Sequence, residues 1–160
     1  MFNVWRIVTA RFIDTAFSGE GARRYGGRWN HKGVPMVYTT GSQSLAMLEM
    51  LVQDEPLRAH YFMIPAVIPP GLKIDHVSID QLTTDWREHS ALERLRAIGG
   101  EWATQLSSTV LAVPSAVVPA ETNYLLNPKH PGFAKIAIDK PQELVTDLRL
   151  IKNKRFQRKR

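Results

Sequence analysis

Six short runs of β-branched and aromatic residues limit what this chain can fold into: FNVWRIV (2–8), VPMVYTT (34–40), HYFMIPAVIP (60–69), LKIDHV (72–77), TVLAVPSAVV (109–118) and ELVTDLRL (143–150). Each has the length and composition of a strand and is bounded by turn-forming residues. Helical patterning is confined to two stretches. One starts at a capping Ser42 or Ser44 and runs to about Gln53. The other covers residues 86–106, where the Gly99-Gly100 pair predicts two short helices rather than one. Strands that outnumber helices without alternating with them predict an α+β domain, with a mixed or antiparallel sheet and a few short helices, rather than a doubly wound sheet. In the first strand Val4, Arg6 and Val8 share one face, with Trp5 and Ile7 on the other. Pro114 makes 109–118 an edge strand or a bent pair of strands. ETNYLLNPKHPGF (121–133) reads as turns, and residues 9–33 read as one long connection, a kind usually functional or disordered.

The chain has 160 residues, enough for one domain with a buried core, and lacks cysteine, which excludes disulfides and thiolate chemistry. Its net charge of +6 is unevenly placed. Six basic residues (Lys152, Lys154, Arg155, Arg158, Lys159, Arg160) and no acid lie in the last nine positions, so residues 1–151 are neutral overall. This predicts a domain over 1–151 and a solvated basic tail over 152–160. Neither a secretory leader nor a membrane-spanning apolar run is present, so a cytoplasmic protein with no membrane contact is expected.

Candidate chemistry gathers in few places. GEGARRYG has Arg24 where a dinucleotide fingerprint needs its third glycine, and no helix is expected after it. Ser115 stands outside a nucleophile-elbow motif, and the five histidines lack metal-ligand spacing, so no metal is expected. Glu49 is the one ionisable residue between Gly41 and Gln53. It borders an apolar stripe of Leu45, Leu48, Leu51 and Val52 with no cation at helical spacing. Such a carboxylate is either exposed at the helix boundary or meets a distant partner or ligand. Arg28 follows Gly26 and Gly27, and Arg6 lies in an apolar strand. Each reads as a salt-bridge donor or as a grip on phosphate. Tyr38 reads as a sheet aromatic whose hydroxyl needs a partner if buried, and Trp29 and Trp86 read as core.

In order, WRI, GARRYGGRWN, GVPMVYTT, SLAMLEML, VPSAVVP and NYLLNPKHPGF resemble the RES domain family from about Val4 to Leu150. The resemblance implies a fold similar to ADP-ribosyltransferases. It also implies the toxin of a type II toxin–antitoxin pair, partnered by an Xre-type helix-turn-helix antitoxin and touching DNA only through it. The activity implied is cleavage of the nicotinamide–ribose bond of NAD, as glycohydrolase or phosphorylase, with growth arrest by NAD depletion. NAD is then substrate, and no cofactor is needed. By motif, Arg28, Glu49 and Ser115 are the family's arginine, glutamate and serine, Tyr38 takes the position near the nicotinamide, and Arg6 and Asn123 match further pocket positions. The implied catalytic set is Glu49, Arg28 and Tyr38, and the implied NAD-binding set is Arg6, Arg28, Tyr38, Ser115 and Asn123. Two other functions fit the residues: mono-ADP-ribosylation of a protein target, and nucleic-acid binding through the basic tail.

Overall fold

A computed structural model describes residues 1–53, 60–147 and 149–150. Every one of the six runs contributes a strand: β1 (Phe2–Thr9), β2 (Val37–Thr40), β3 (Tyr61–Ile68), β4 (Ile74–His76), β5 (Val110–Pro114) and β8 (Gln142–Leu144). Two strands escaped the sequence reading, β6 (Thr122–Leu126) and β7 (Ala137–Ile138). They join one sheet in the order β4–β5–β6–β2–β1–β3–β7, with β8 also on β3. Among the described residues all pairings are antiparallel except β4 with β5. The α+β architecture expected from the strand and helix pattern is therefore the one observed.

The segment read as turns holds the strand at the middle of the sheet. β6 pairs with β2 on one side and β5 on the other. Its polar start, Thr122-Asn123, hides the period, and Asn123 turns its amide to Glu49 rather than to the core. β5 is interior, not an edge. Pro114 is its last residue, opposite Thr122, so the missing N–H ends the ladder without breaking it. At the other end of the chain the strand is shorter than 143–150, being confined to Gln142–Leu144.

Three α-helices pack on this sheet: α1 (Glu20–Tyr25), α2 (Gln43–Gln53) and α3 (Leu92–Gln105). The connection 9–33 is thus no plain loop. It contains a 3-10 turn at Ala10–Phe12 and α1, which ends where Gly26 takes φ of 73°. α2 begins at Ser42, whose Oγ accepts from the Leu45 N–H at 3.1 Å. α3 is one helix, not two. Gly99 sits against the backbone of Trp29, where a Cβ would overlap the Trp29 carbonyl oxygen, so its missing side chain serves packing rather than a break.

Alternate residues of the strands feed two apolar clusters, one on each face of the sheet. Val37, Val110 and Leu126 join Val4, Val8, Ile64 and Ile68 on one side. Leu111, Val113 and Leu125 join Trp29, Trp86, Leu95 and Trp102 on the other. Trp29 and Trp86 are buried, as their type suggests. Among the described residues no helix is long and apolar enough to cross a membrane.

Candidate active site

The sheet parts at its centre. β1 pairs with β3 along its whole length, but with β2 at one register position only, Trp5 opposite Thr40. Past that position Arg6 spans the gap with its side chain, donating from Nη1 to the Tyr38 carbonyl at 2.9 Å. A cleft of about 930 Å³ lies along this parting. Its lining includes Arg6, Arg28, Tyr38, Glu49 and Asn123, and thus brings together five of the six residues singled out in the sequence.

Glu49 reaches the cleft from α2. The buried side chains of that helix are Leu45, Ala46 and Met50, whereas Leu48 and Val52 are exposed. The apolar stripe assigned from the sequence was therefore rotated, and Glu49 stands at the margin of the true buried face. Its partners are both neutral: Ser115 Oγ donates to Oε1 at 2.8 Å, and Asn123 Nδ2 donates to the same oxygen at 2.7 Å. No arginine or lysine forms an ion pair with it among the described residues. One carboxylate oxygen is held, and Oε2 accepts no hydrogen bond from the described residues.

Ser115 does not line the cleft. It is fully buried behind Glu49, and its Oγ accepts from the N–H groups of Val117 and Val118, both at 3.1 Å. With both lone pairs engaged, its one proton must point at Glu49. Of the two roles open to Ser115, contact with a ligand or support of Glu49, the hydrogen bond to Oε1 fits the second. Asn123 sits in β6 opposite Thr40, and Thr40 opposite Trp5, so one cross-sheet row sets Asn123 beneath α2.

The two arginines differ in setting. Arg6 is enclosed by protein while keeping part of its surface on the cleft, and desolvation lowers its pKa from the ordinary arginine value to about 10. It has no carboxylate partner among the described residues, which answers the salt-bridge reading. Arg28 is half-buried, and its guanidinium makes only a long 3.4 Å contact, from Nη1 to the Arg87 carbonyl. Among the described residues three buried side-chain polar atoms lack a hydrogen-bond partner: Arg6 Nε, Thr9 Oγ1 and Asn123 Oδ1. All three belong to residues that line this cleft. Unsatisfied buried polar atoms are costly and uncommon in a fold, and their concentration here makes this cleft the candidate site.

The stretch GGRWN is held by a residue the sequence reading passed over. Asn30 is fully buried, and its Nδ2 donates to the carbonyls of Ala22, His31 and Val34 at 2.8, 3.1 and 3.0 Å. Its Oδ1 accepts from the Tyr38 hydroxyl at 2.6 Å, and that hydroxyl accepts from the Trp29 N–H at 3.0 Å. Burial pushes the Tyr38 phenol pKa well above its usual value. Tyr38 therefore presents its ring to the cleft while its hydroxyl organises the loop. A Cβ on Gly27 would lie 2.5 Å from that hydroxyl, so Gly27 makes room for Tyr38 rather than for a nucleotide. Arg23 and Arg24 pair with Glu20 at the surface, at 2.9 and 3.9 Å. An asparagine immediately after an apolar aromatic, within a polar loop, was the one available sign of a buried hub. Among the described residues no cluster of three or more metal-ligating side chains occurs.

Comparison with known proteins fits this geometry. A family model, the RES domain, matches residues 3–147. Toxin Res of Photorhabdus laumondii is 39% identical over 155 residues, covering 95% of this chain and 99% of that protein. Toxin Res of Yersinia enterocolitica is 41% identical over 132 residues, covering 81% and 86%. A Sphingobium protein named Prs ADP-ribosylating toxin is 34% identical over 154 residues, covering 92% and 96%. Among solved structures, the crystal structure of the M. tuberculosis MbcT–MbcA toxin–antitoxin complex contains a chain of the same fold, with a TM-score of 0.73 at 21% identity, over 90% of this chain and 84% of that one. The match along nearly all of the described residues, and relatives this similar over nearly their whole length, place the chain in the RES domain family.

Proposed function

We propose that this chain is the toxin of a toxin–antitoxin pair and that it cleaves the bond between nicotinamide and ribose in NAD. The observation that carries the reading is the separation of charge in the cleft: a carboxylate held, among the described residues, by neutral donors, in one cleft with two arginines that have no carboxylate partner among those residues. NAD needs that separation. Its pyrophosphate is anionic, whereas the reacting ribose becomes oxocarbenium-like as nicotinamide departs. Arg28 and Arg6 hold the pyrophosphate, and Glu49 stabilises the developing positive charge, as carboxylates do in glycoside hydrolysis. The C1′–N bond breaks with its electron pair leaving on nicotinamide, which departs neutral. An acceptor oxygen then adds to C1′ and loses its proton; with water as acceptor the products are nicotinamide, ADP-ribose and a proton. Ser115 and Asn123 keep Glu49 aimed, and the ring of Tyr38 lies along the nicotinamide. The arginines supply the positive charge that phosphate requires, so the reaction as proposed uses no metal or further cofactor.

The partner in this reading is an Xre-type helix-turn-helix antitoxin, through which any DNA contact is made. The names of the Photorhabdus and Yersinia relatives and the fold shared with a chain of a toxin–antitoxin complex support an antitoxin as partner, and the Xre type rests on the family resemblance. A second reading keeps the same first step but gives ADP-ribose to a protein side chain; the name of the Sphingobium relative favours it. Both are tested by incubating the purified chain with NAD and identifying every product by mass spectrometry. Free nicotinamide with ADP-ribose or its 1-phosphate supports the first, and a mass gain on a protein acceptor supports the second. Glu49→Gln is expected to stay folded and lose about 2–4 kcal/mol of transition-state stabilisation, roughly 10²–10³ in turnover. Turnover near wild type in that variant removes Glu49 from the chemistry.

A further inference from the structure

Gly99 and Gly100 stand side by side inside α3, where each costs about 1 kcal/mol of helix propensity relative to alanine. Their surroundings are opposite. A Cβ on Gly100 meets nothing within 4 Å, whereas a Cβ on Gly99 would run into the carbonyl of Trp29. Arg96 lies three residues before Gly99 and so on the same helical face. Its Nε donates to the carbonyl of Gly27 at 2.9 Å. α3 therefore touches the GGRWN loop at the two carbonyls that bracket Arg28, those of residues 27 and 29.

The opposite side of the loop is tied equally closely. The Gly27 N–H donates to the Asn30 carbonyl at 3.0 Å, and the Trp29 N–H donates to the Tyr38 hydroxyl at 3.0 Å. Both neighbours of Arg28 are thus fixed, while its guanidinium makes one long contact among the described residues and Arg28 itself lines the cleft. A long side chain loses much rotamer freedom on gripping a ligand, and fixing its root in advance lowers that cost.

We propose that the Arg96–Gly99 face of α3 is the seat that sets the posture of Arg28 toward an anionic diphosphate in the cleft, with Arg96 as a positioning residue. Arg96 does not line the cleft, and its Nη1 is 3.8 Å from the exposed Glu93 carboxylate, so it acts through the loop and not on the ligand. The diphosphate rests on the function proposed above.

The experiment is calorimetric binding of ADP-ribose to the full chain, with thermal unfolding of each variant as a check on the fold. Arg96→Met removes the bond to Gly27, and Gly99→Ala moves the loop without changing charge. Each is expected to weaken ADP-ribose binding about tenfold, since small displacements of a gripping group are costly. Introduced on top of Arg28→Ala, neither should weaken binding further, because all would remove one shared interaction. Arg96→Lys should restore part of the affinity, and Gly100→Ala should bind like wild type. A full penalty from Arg96→Met on the Arg28→Ala background overturns the seat, as does wild-type binding by Gly99→Ala or no ADP-ribose binding by the wild-type chain. Wild-type chain that binds ADP-ribose with this coupling yet leaves NAD intact overturns the enzymatic reading alone.

Discussion

Arg6 is difficult to explain by stability. An enclosed guanidinium with no anion beside it destabilises a fold, and the drop of its pKa to about 10 expresses that cost. The sign follows from linkage. Between about pH 10 and the higher ordinary value of arginine the unfolded chain binds more protons, so stability rises with pH there. Below about pH 10 the penalty is present in full. Arg6→Met should therefore raise the free energy of unfolding at pH 7, by an amount on the order of 1–3 kcal/mol, while weakening ADP-ribose binding. A variant that unfolds earlier than wild type would make Arg6 a structural strut. The presence of arginine in an apolar strand was legible in the sequence, and so was the isolation of Glu49 from local cations. What paired them was not, because Ser115 and Asn123 reach Glu49 across 66 and 74 residues of chain.

Among the elements, α2 carries the carboxylate and α3 carries the loop. α2 has no charged residue in its first or last turn to favour it, so its start depends on the Ser42 cap. Ser42→Ala should cost about 1 kcal/mol in urea unfolding, with a smaller loss of NAD turnover than Glu49→Gln. Equal loss of turnover would mean that the cap also sets the catalytic geometry. The strands with strong β-branched composition were recognised; β6 was not, because Thr122 and Asn123 look like turn residues and their partners in β2 and β5 are distant in sequence. The glycine pair in α3 misled for a related reason. Glycine marks either a break or a close approach, and only the position of Trp29 decides between them.

The whole molecule is a neutral body with a basic terminal stretch, whose residues 152–160 lie outside those the structure describes. The described residues that line the cleft all precede that stretch in sequence. Deleting 152–160 should leave NAD turnover and the unfolding midpoint unchanged. Any duplex-DNA binding should disappear with it, after showing in the full chain a log–log salt slope of about −5 for six neutralised phosphates. DNA binding that survives the deletion would place a nucleic-acid surface on the body instead. A turnover lost with the tail would join the two parts into one site.

By itself the sequence determined the α+β class, the positions of six strands, the absence of thiol chemistry and the isolation of Glu49 from cations at helical spacing. These follow from local composition and spacing, which act between near neighbours. Only the tertiary structure decided that β1 and β2 part to open a cleft, that Ser115 stands behind Glu49, and that α3 seats the loop of Arg28. Those facts depend on contacts between residues far apart in the chain, and such contacts exist only once the sheet has closed around them.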